Sequence, residues 1–373
     1  MYGIIDEGLN CISNSGGGKV FSTTSGVIQG SRWGVRGVED LGGGLKATFV
    51  LENGFDASTG KLGQGGLEFG RQAWVGLSSA RLGTVSLGRQ YDPRVDFVGT
   101  MVAATRWAGA FGTHPADIDN LNNSFRIDNS IKYRSPSFGV LVFSALYSLG
   151  GVAGSVGRNQ IYSVGGGYIY GPFALGAAYF NAHNPNVSYV GATGTVAATT
   201  NGVPGSNLGT APSLSGFASA STYQSIAAGG AYQFGPARVG ITWTNTAFKG
   251  LGDTSSGPNP LGFTGSTHYN NAEINGEYHL TPSLLIGAAY DYMKGSSISS
   301  TKRGRLGGAT YQQVSLGADY SLSKRTDVYV MGMYQHASGT DSTGGEAHAA
   351  IYLITPSDSN HQGVVRIGMR HRF

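Results

Sequence analysis

The sequence contains only one cysteine, Cys11, so no disulfide can form within the chain and the fold must be stabilised in another way. It also lacks any stretch approaching the roughly 18 consecutive apolar residues that a membrane-spanning helix requires, and its mean hydropathy is −0.10. These absences exclude a helical membrane protein. They do not exclude a transmembrane β-barrel, because the alternation of apolar and polar residues along its strands hides the lipid-facing side from a hydropathy average.

Strong charge is also missing, and this narrows the possible partners. The net charge is +4 without a polybasic run, so the footprint of a nucleic-acid-binding protein is absent. The 62 glycines have no triplet period, which excludes collagen. The chain has 20 tyrosines, 16 phenylalanines and four tryptophans, too many aromatic residues for a disordered protein. The predominance of tyrosine is expected if aromatic girdles lie at two membrane interfaces.

Catalytic and cofactor motifs are absent as well. There is no G-x-S-x-G elbow, no H-E-x-x-H pair, and neither Lys19 nor Lys61 is followed by the Ser or Thr of a phosphate-binding loop. We therefore predict no catalytic residue, no cofactor and no metal site. One enzymatic alternative remains, in which His114 acts with Asp117 or Asp119. The simpler interpretation of His114 is a polar loop residue.

What the sequence does contain is a regular series of strand-like runs, joined alternately by tight turns and by longer connections. Seven connections carry turn residues: 41–44, 79–83, 135–137, 171–172, 235–236, 281–283 and 323–325. Eight are longer, with approximate limits 11–26, 53–65, 92–124, 149–159, 183–221, 247–266, 294–308 and 336–360. This alternation is typical of an up-and-down membrane barrel and not of a Greek-key sandwich. We predict an all-β, 16-stranded antiparallel transmembrane β-barrel, as a single domain over residues 1–373.

The last ten residues carry the clearest strand pattern. Alternate positions are mostly apolar, ending in Met369 and Phe373, while the intervening positions include Arg366, Arg370 and Arg372. One strand of a soluble sandwich would show the same pattern, but an aromatic end is typical of a strand that closes a membrane barrel. At the other end, the chain starts inside a strand-like pattern without a signal peptide, so we expect a processed or re-engineered N-terminus.

The connection 92–124 differs from the other long ones because it combines apolar residues with four acids, Asp92, Asp96, Asp117 and Asp119. Apolar content of this kind predicts a loop that folds back into a barrel lumen. The positions predicted to line the lumen on neighbouring strands collect cations: Arg32, Arg36, Lys46, Arg71, Lys132 and Arg134. Acids facing bases would form a charged constriction, which is how pores select by sign. Alternatively, these are ordinary solvated charges in a wide channel.

Several of these stretches together resemble the general diffusion porins of Gram-negative bacteria, most closely the β-proteobacterial branch. They run in family order along nearly the whole chain. The stretches are Ser31-Arg32-Trp33-Gly34-Val35-Arg36-Gly37, Gly70-Arg71-Gln72-Ala73-Trp74, Leu87-Gly88-Arg89-Gln90-Tyr91, Asn129-Ser130-Ile131-Lys132-Tyr133-Arg134 and the terminal Phe373.

The resemblance implies a homotrimer of barrels in the bacterial outer membrane, in contact with lipid and lipopolysaccharide, each narrowed by its third loop. It places a basic cluster at Arg32, Arg71 and either Lys132 or Arg134, whereas Arg36 rests on strand alternation alone. It also makes Phe373 a membrane-insertion signature, and it suggests that the loop beginning at Glu52 latches onto a neighbouring subunit. The acidic Pro-Glu-Phe-Gly-Gly motif of enteric members is absent.

The function predicted from the sequence is a passive porin. Small hydrophilic solutes and ions would diffuse through a water-filled channel that prefers anions, because cations dominate its wall. Two alternatives remain open: a substrate-specific channel, which would need aromatic residues along the lumen, and a non-conducting adhesin or surface-antigen barrel.

Overall fold

The computed structural model describes residues 1–193, 199–200 and 203–373. Part of the predicted connection 183–221 therefore lies outside the described residues. No helix in the described part of the chain is long and apolar enough to cross a membrane.

Sixteen antiparallel strands in the described residues form one closed sheet. Each pairs with the next along the chain, and β16 returns to β1 in a register that runs from Ile4 opposite Arg372 to Ile12 opposite Val364. The predicted barrel is therefore confirmed. The strands are β1 Tyr2–Ser15, β2 Gly18–Ser25 continued by Arg32–Gly42, β3 Leu45–Gly54, β4 Gln72–Ser79, β5 Gly83–Gln90, β6 Ile127–Arg134, β7 Leu141–Ser148, β8 Ile161–Tyr170, β9 Phe173–His183, β10 Thr222–Phe234, β11 Ala237–Leu251, β12 Phe263–Thr281, β13 Leu284–Gly295, β14 Ala309–Ser321, β15 Thr326–Gly339 and β16 His361–Arg372.

One predicted connection is wrong. Residues 11–26 are not a long loop, because β1 extends to Ser15 and a tight turn leads directly into β2. Gly16 and Gly17 make this turn with φ of 62° and 97°, which glycine adopts without strain. The irregularity lies later, at 26–31, where β2 is interrupted. The Asp6 carboxylate accepts hydrogen bonds there from the backbone N–H groups of Ile28 (2.6 Å) and Gln29 (2.9 Å), which offers the backbone an alternative to strand pairing.

The sheet has an exposed apolar face and a covered polar face. On β16, Ile367 and Met369 are 64% and 55% exposed, whereas Arg366 and Arg370 are buried. The same alternation continues on β13 and β14, where Ile286, Tyr290 and Leu316 are exposed. The predicted alternation therefore sorts the side chains as expected, and we refer to the two sides below as the apolar face and the polar face.

Short elements decorate the long connections. The helices are α1 Pro93–Phe97 and α2 Pro185–Ser188, with single turns of 3₁₀-helix at Gln64–Gly66, Gly99–Met101, Ala110–Gly112, Pro115–Asp117, Gly191–Thr193 and Ser215–Phe217, and a π-helical turn at Ala104–Ala108. Two short strand pairs join Thr199–Thr200 to Val203–Pro204 and Ile298–Ser300 to Gly304–Leu306.

A buried ion pair on the polar face ties the two ends of the chain together. Arg366 Nη2 on β16 lies 3.6 Å from Asp6 Oδ1 on β1, and both side chains are fully buried. Tyr329 on β15 donates its hydroxyl to Asp6 Oδ1 at 2.5 Å and accepts from Arg366 Nε at 2.9 Å. Arg366 also donates to Asn10 Oδ1 at 2.8 Å. The seam of the barrel is therefore held by side chains as well as by the strand pairing.

Replacing Arg366 with Met should destabilise the barrel by about 3–5 kcal/mol, because it leaves the buried Asp6 carboxylate without its cation. The measurement is the temperature at which the folded, fast-migrating band is lost on a denaturing gel. Met369→Leu, on the apolar face, is the matched control and should leave that temperature unchanged. An equal temperature for Arg366→Met and the native protein would contradict the role given to the pair.

Candidate functional site

The connection between β5 and β6, residues 91–126, packs against the polar face of several strands. Glycines on those strands let it approach closely. A Cβ atom added to Gly287 on β13 would lie 2.3 Å from the Trp107 ring, and one added to Gly317 on β14 would lie 3.0 Å from it. The indole can therefore pack at this position only because residue 287 is a glycine, since the side chain of any other residue would overlap with the ring.

Polar side chains of the same wall hold the backbone of this segment. Asn275 Nδ2 donates to the carbonyl of Met101 at 2.8 Å, and Gln313 Nε2 donates to that of Phe111 at 3.0 Å. The backbone N–H of Ala103 donates to Glu273 Oε1 at 2.8 Å. These buried hydrogen bonds fix three points along the segment.

A buried histidine with three carboxylates forms the strongest attachment. His114 Nδ1 lies 2.7 Å from Asp119 Oδ2, and its Nε2 lies 3.4 Å from Glu273 and 3.5 Å from Asp291. Thr244 on β11 donates its hydroxyl to the same Asp119 oxygen at 2.7 Å. The cluster joins the segment to strands β11, β12 and β13.

The electrostatics of this cluster favour a charged imidazole. Burial by itself would lower the pKa of His114, but the carboxylates of Asp119 and Asp291 raise it well above its usual range. Burial would raise the pKa of Asp119, yet the charge of His114 holds it below its usual value. Burial and the neighbouring Asp119 raise the pKa of Asp117 to about 6. His114 and Asp119 therefore form an ion pair at neutral pH.

Three of the four acids predicted to face a pore are enclosed within the segment. Asp92 pairs with Arg94 at 3.0 Å, and both side chains are fully buried. Asp117 accepts from the Ser124 hydroxyl at 2.6 Å and from backbone N–H groups, and Asp119 is occupied by His114. These three carboxylates are used for local folding, so they do not face open space. Asp96 differs, because it pairs with Lys132 at 2.5 Å on the segment's surface.

On the other side of the segment, two of the predicted arginines share one carboxylate. Arg71 Nε lies 2.8 Å from Glu52 Oε1, and Arg32 Nε lies 3.7 Å from Glu52 Oε2. Tyr2 and Tyr91 donate their hydroxyls to the same carboxylate at 2.8 and 3.2 Å. The Glu52 carboxylate is therefore engaged inside its own barrel, and a contact of the loop that follows it with a neighbouring subunit stays a prediction.

Sequence reasoning missed a third arginine in this group, Arg126. It is 4% exposed, its guanidinium lies 5.7 Å from the centre of the Tyr91 ring, and it donates to the carbonyl of Ser124 at 3.0 Å. Burial, together with the charges of Arg71 and Arg89, lowers its pKa to about 10, so it stays charged at neutral pH. Arg126 is separated from Lys132 and Arg134 by an even number of positions. Extending the alternation of β6 toward the N-terminus, past the start of the strand, would therefore have identified it.

The three arginines line a cavity of about 510 Å³. The opposite side of this cavity is formed by Val95, Ala104, Thr105 and Ala110 of segment 91–126. Glu52 is the one acidic residue among its lining residues, against three cations. We refer to Arg32, Arg71 and Arg126 as the arginine cluster.

The remaining predicted site residues lie elsewhere. Arg36, Lys132 and Arg134 line a second cavity nearer the tight turns, and not the one that holds the arginine cluster. Phe373 exchanges two backbone hydrogen bonds of 3.0 Å with Gly3, and its ring lies over that glycine, so the terminal aromatic seals the seam. Within the described ranges, no group of three or more His, Cys, Asp or Glu is arranged to hold a metal ion.

Comparison with known proteins gives consistent matches over the whole chain. A family model described as Gram-negative porin matches residues 1–340. An outer membrane porin protein of Bordetella pertussis is 30% identical, covering 100% of this chain and 94% of its own length. Outer membrane porin protein 32 of Delftia acidovorans is 28% identical, covering 100% of this chain and 93% of its own.

Solved structures with the same fold include an anion-selective porin from Comamonas acidovorans. It superposes with a TM-score of 0.71 at 20% identity, covering 100% of this chain and 98% of that one. A trimer form of OmpT, an outer membrane protein of Vibrio cholerae, gives a TM-score of 0.63 at 17% identity, with 100% and 98% covered.

Replacing His114 with Ala should loosen segment 91–126, because three buried carboxylates then face each other without a cation. The raised pKa of His114 means that its stabilisation is full below about pH 6.5 and is lost as the pH rises through the raised value. At pH 8 we expect the free energy of local opening to fall by about 3 kcal/mol. Hydrogen exchange of peptides from 91–126, corrected for intrinsic rates, measures this.

The pH dependence of the variant provides the internal check. At pH 5 protonation of the carboxylates removes their repulsion, so part of the protection should return. His279→Ala, at an exposed strand end, is the matched control and should exchange like the native protein. Native protection in His114→Ala at pH 8 would show that the cluster does not hold the segment.

Proposed function

Because the chain belongs to the Gram-negative porin family and is an outer-membrane β-barrel protein, we propose that segment 91–126 folds into the lumen and narrows the channel opposite the arginine cluster. Small hydrophilic solutes and ions then cross by passive diffusion, selected by size and by charge, with a preference for anions. The 373 residues act as one barrel domain. No bond is made or broken.

The imbalance of charge in the cavity is the observation that carries the anion preference. Arg32 and Arg71 share Glu52, while Arg126 makes no ion pair among the described residues and its Nε has no protein partner. An unneutralised guanidinium beside a narrow passage attracts anions and repels cations. At physiological salt the Debye length is about 8 Å, so this field acts only within a narrow passage.

Two features support a constriction over a wide, unselective channel. Asp92, Asp117 and Asp119 are engaged by Arg94, Ser124 and His114 within the segment, and Asp96 pairs with Lys132, so these acids do not neutralise the arginine cluster. The structurally similar porin from Comamonas acidovorans is described as anion-selective, which agrees with the same preference here.

An enzymatic role receives no support from the geometry of His114. The side chain is 3% exposed and its ring nitrogens face three carboxylates, so a substrate has no access to it. We therefore propose that His114 is an attachment residue and that the protein is not an enzyme.

We further propose a homotrimer, surrounded by membrane lipid and lipopolysaccharide. Glu7 supports a subunit contact at β1, because it lies between the exposed Ile5 and Leu9 on the apolar face, where the hydroxyl of Ser58 from the same chain donates to it at 2.8 Å. A carboxylate there would be costly against lipid, whereas a neighbouring subunit can solvate it. The trimer form of the similar Vibrio cholerae protein agrees with this assembly.

Removing charges of opposite sign should shift ion selectivity in opposite directions. Arg126→Gln should lower the anion-to-cation permeability ratio, because the unpaired cation is lost. Glu52→Gln should raise this ratio, because it removes the negative charge of the one acidic residue that lines the cavity. Reversal potentials in a planar bilayer under a KCl gradient measure both changes, and both should shrink as salt is raised. Equal reversal potentials in the two variants would place the selective region elsewhere.

The assembly can be tested on the native protein. Purified in detergent, it should have about three times the 38.7 kDa mass of one chain after correction for bound detergent. Its bilayer conductance should close in three equal steps. A mass of one chain and single closures would contradict the trimer without affecting the channel.

A further inference from the structure

A second cavity lies on the turn side of segment 91–126. It has a volume of about 460 Å³ and meets the cavity of the arginine cluster at Gln72 and Tyr91, which line both. Ser78 and Thr84, which flank the tight turn between β4 and β5, place it close to the turn end of the barrel. A solute passing the arginine cluster enters this space next.

The wall of this turn-side cavity is unexpectedly apolar. Val38, Val50 and Trp74 all line it, and Val38 is 68% exposed. The polar face of a water-filled barrel normally carries polar side chains. Trp74 donates its indole N–H to Gln72 Oε1 at 3.1 Å, which satisfies its polar atom and fixes the orientation of the ring. The ring remains partly exposed. Sequence reasoning did not recognise this lumen-side aromatic.

Three cations line the same cavity as the apolar patch formed by Val38, Val50 and Trp74. Arg36 and Arg134 are exposed and make no ion pair within the described residues, although they lie over the rings of Tyr2 (5.4 Å) and Phe97 (5.5 Å). Lys132 completes the set and is paired with Asp96. Three cations against one carboxylate leave the cavity positive.

An apolar, partly aromatic surface next to unpaired guanidinium groups suits one ligand chemistry. An aromatic ring packs on Trp74 and the two valines, while a carboxylate on that ring accepts hydrogen bonds from Arg134 or Arg36. A small inorganic anion can bind only to the guanidinium groups. A neutral aromatic compound can pack only on Trp74 and the valines. The strand register places Arg36 opposite Val50 and Val50 opposite Trp74, so one of the two guanidinium groups lies in the same row of the sheet as the apolar residues.

We infer that the turn-side cavity is a transient binding subsite for small aromatic monocarboxylates on their way through the channel. This inference rests on the proposed porin function and adds a substrate class to it. The arginine cluster attracts anions in general, and the turn-side cavity retains those that carry an aromatic ring.

The test is single-channel recording in KCl with added benzoate, and with acetate as a probe of equal charge but without a ring. Benzoate should interrupt the chloride current, more often when added from the turn side. Acetate at the same concentration should not. Trp74→Leu should raise the concentration for half-maximal block about fivefold, as expected for one lost aromatic contact. Replacing both guanidinium groups, in the double variant Arg36→Gln with Arg134→Gln, should raise it about tenfold through the lost charge-assisted hydrogen bond.

Trp243→Leu is the matched control, because Trp243 is exposed on the apolar face of β11 and should leave benzoate block unchanged. If Trp74→Leu does not fold, the double variant Arg36→Gln with Arg134→Gln decides the question alone. Chloride conductance with equal effects of benzoate and acetate, or block that both cavity variants leave intact, would overturn this subsite and spare the porin function. A folded native protein that conducts nothing would overturn both.

Discussion

Closure of the sheet between β1 and β16 is the constraint on which the rest of the molecule depends. Lipid offers no hydrogen-bond partners, so every backbone group of the barrel must be paired within the sheet, and an open edge would leave a strand unpaired. Closure also fixes which side each residue faces, because a slip of one position would exchange the two faces of a strand. The polar face that results contains the Asp6–Arg366 pair at the seam and arginines of both cavities, among them Arg32 and Arg36.

The polar face is divided between two tasks. One part, with small residues such as Gly287 and acids such as Glu273 and Asp291, receives segment 91–126. The opposite part carries the arginines. Asp92 and Asp119 of the segment are paired with Arg94 and His114, and Asp96 is paired with Lys132. Asp117 is buried and accepts hydrogen bonds, so the exposed side of the segment adds little negative charge. On the proposed function, attachment and selectivity are therefore linked, because the ion pair of His114 with Asp119 helps to hold the segment and also keeps that carboxylate away from Arg126.

The architecture could be predicted because it depends on local patterns. Alternation along β16 and the number of connections were sufficient for the strand number. Arg32 and Arg71, which the resemblance placed in one basic cluster, both lie beside Glu52. The partners of the acids in segment 91–126 could not be predicted in this way, because the segment is irregular. Asp92 and Asp119 are used inside the segment by Arg94 and His114, contacts that no strand pattern encodes. Arg126 was missed because it precedes the strand, and the turn at Gly16 was missed because a glycine-rich polar stretch resembles a long loop.

The contact of Trp107 with Gly287 and Gly317 has a consequence for how such channels diversify. On the proposed function, the channel beside the arginine cluster is as wide as the space that segment 91–126 leaves free. That space becomes narrower when the segment lies farther from β13 and β14. A methyl group gained at Gly287 would lie 2.3 Å from the present position of the indole, so Trp107 would have to shift away from this wall. Permeability to bulky compounds, antibiotics among them, can therefore evolve through residues that no permeating molecule ever touches, and surveys of pore-lining positions alone would overlook such variants.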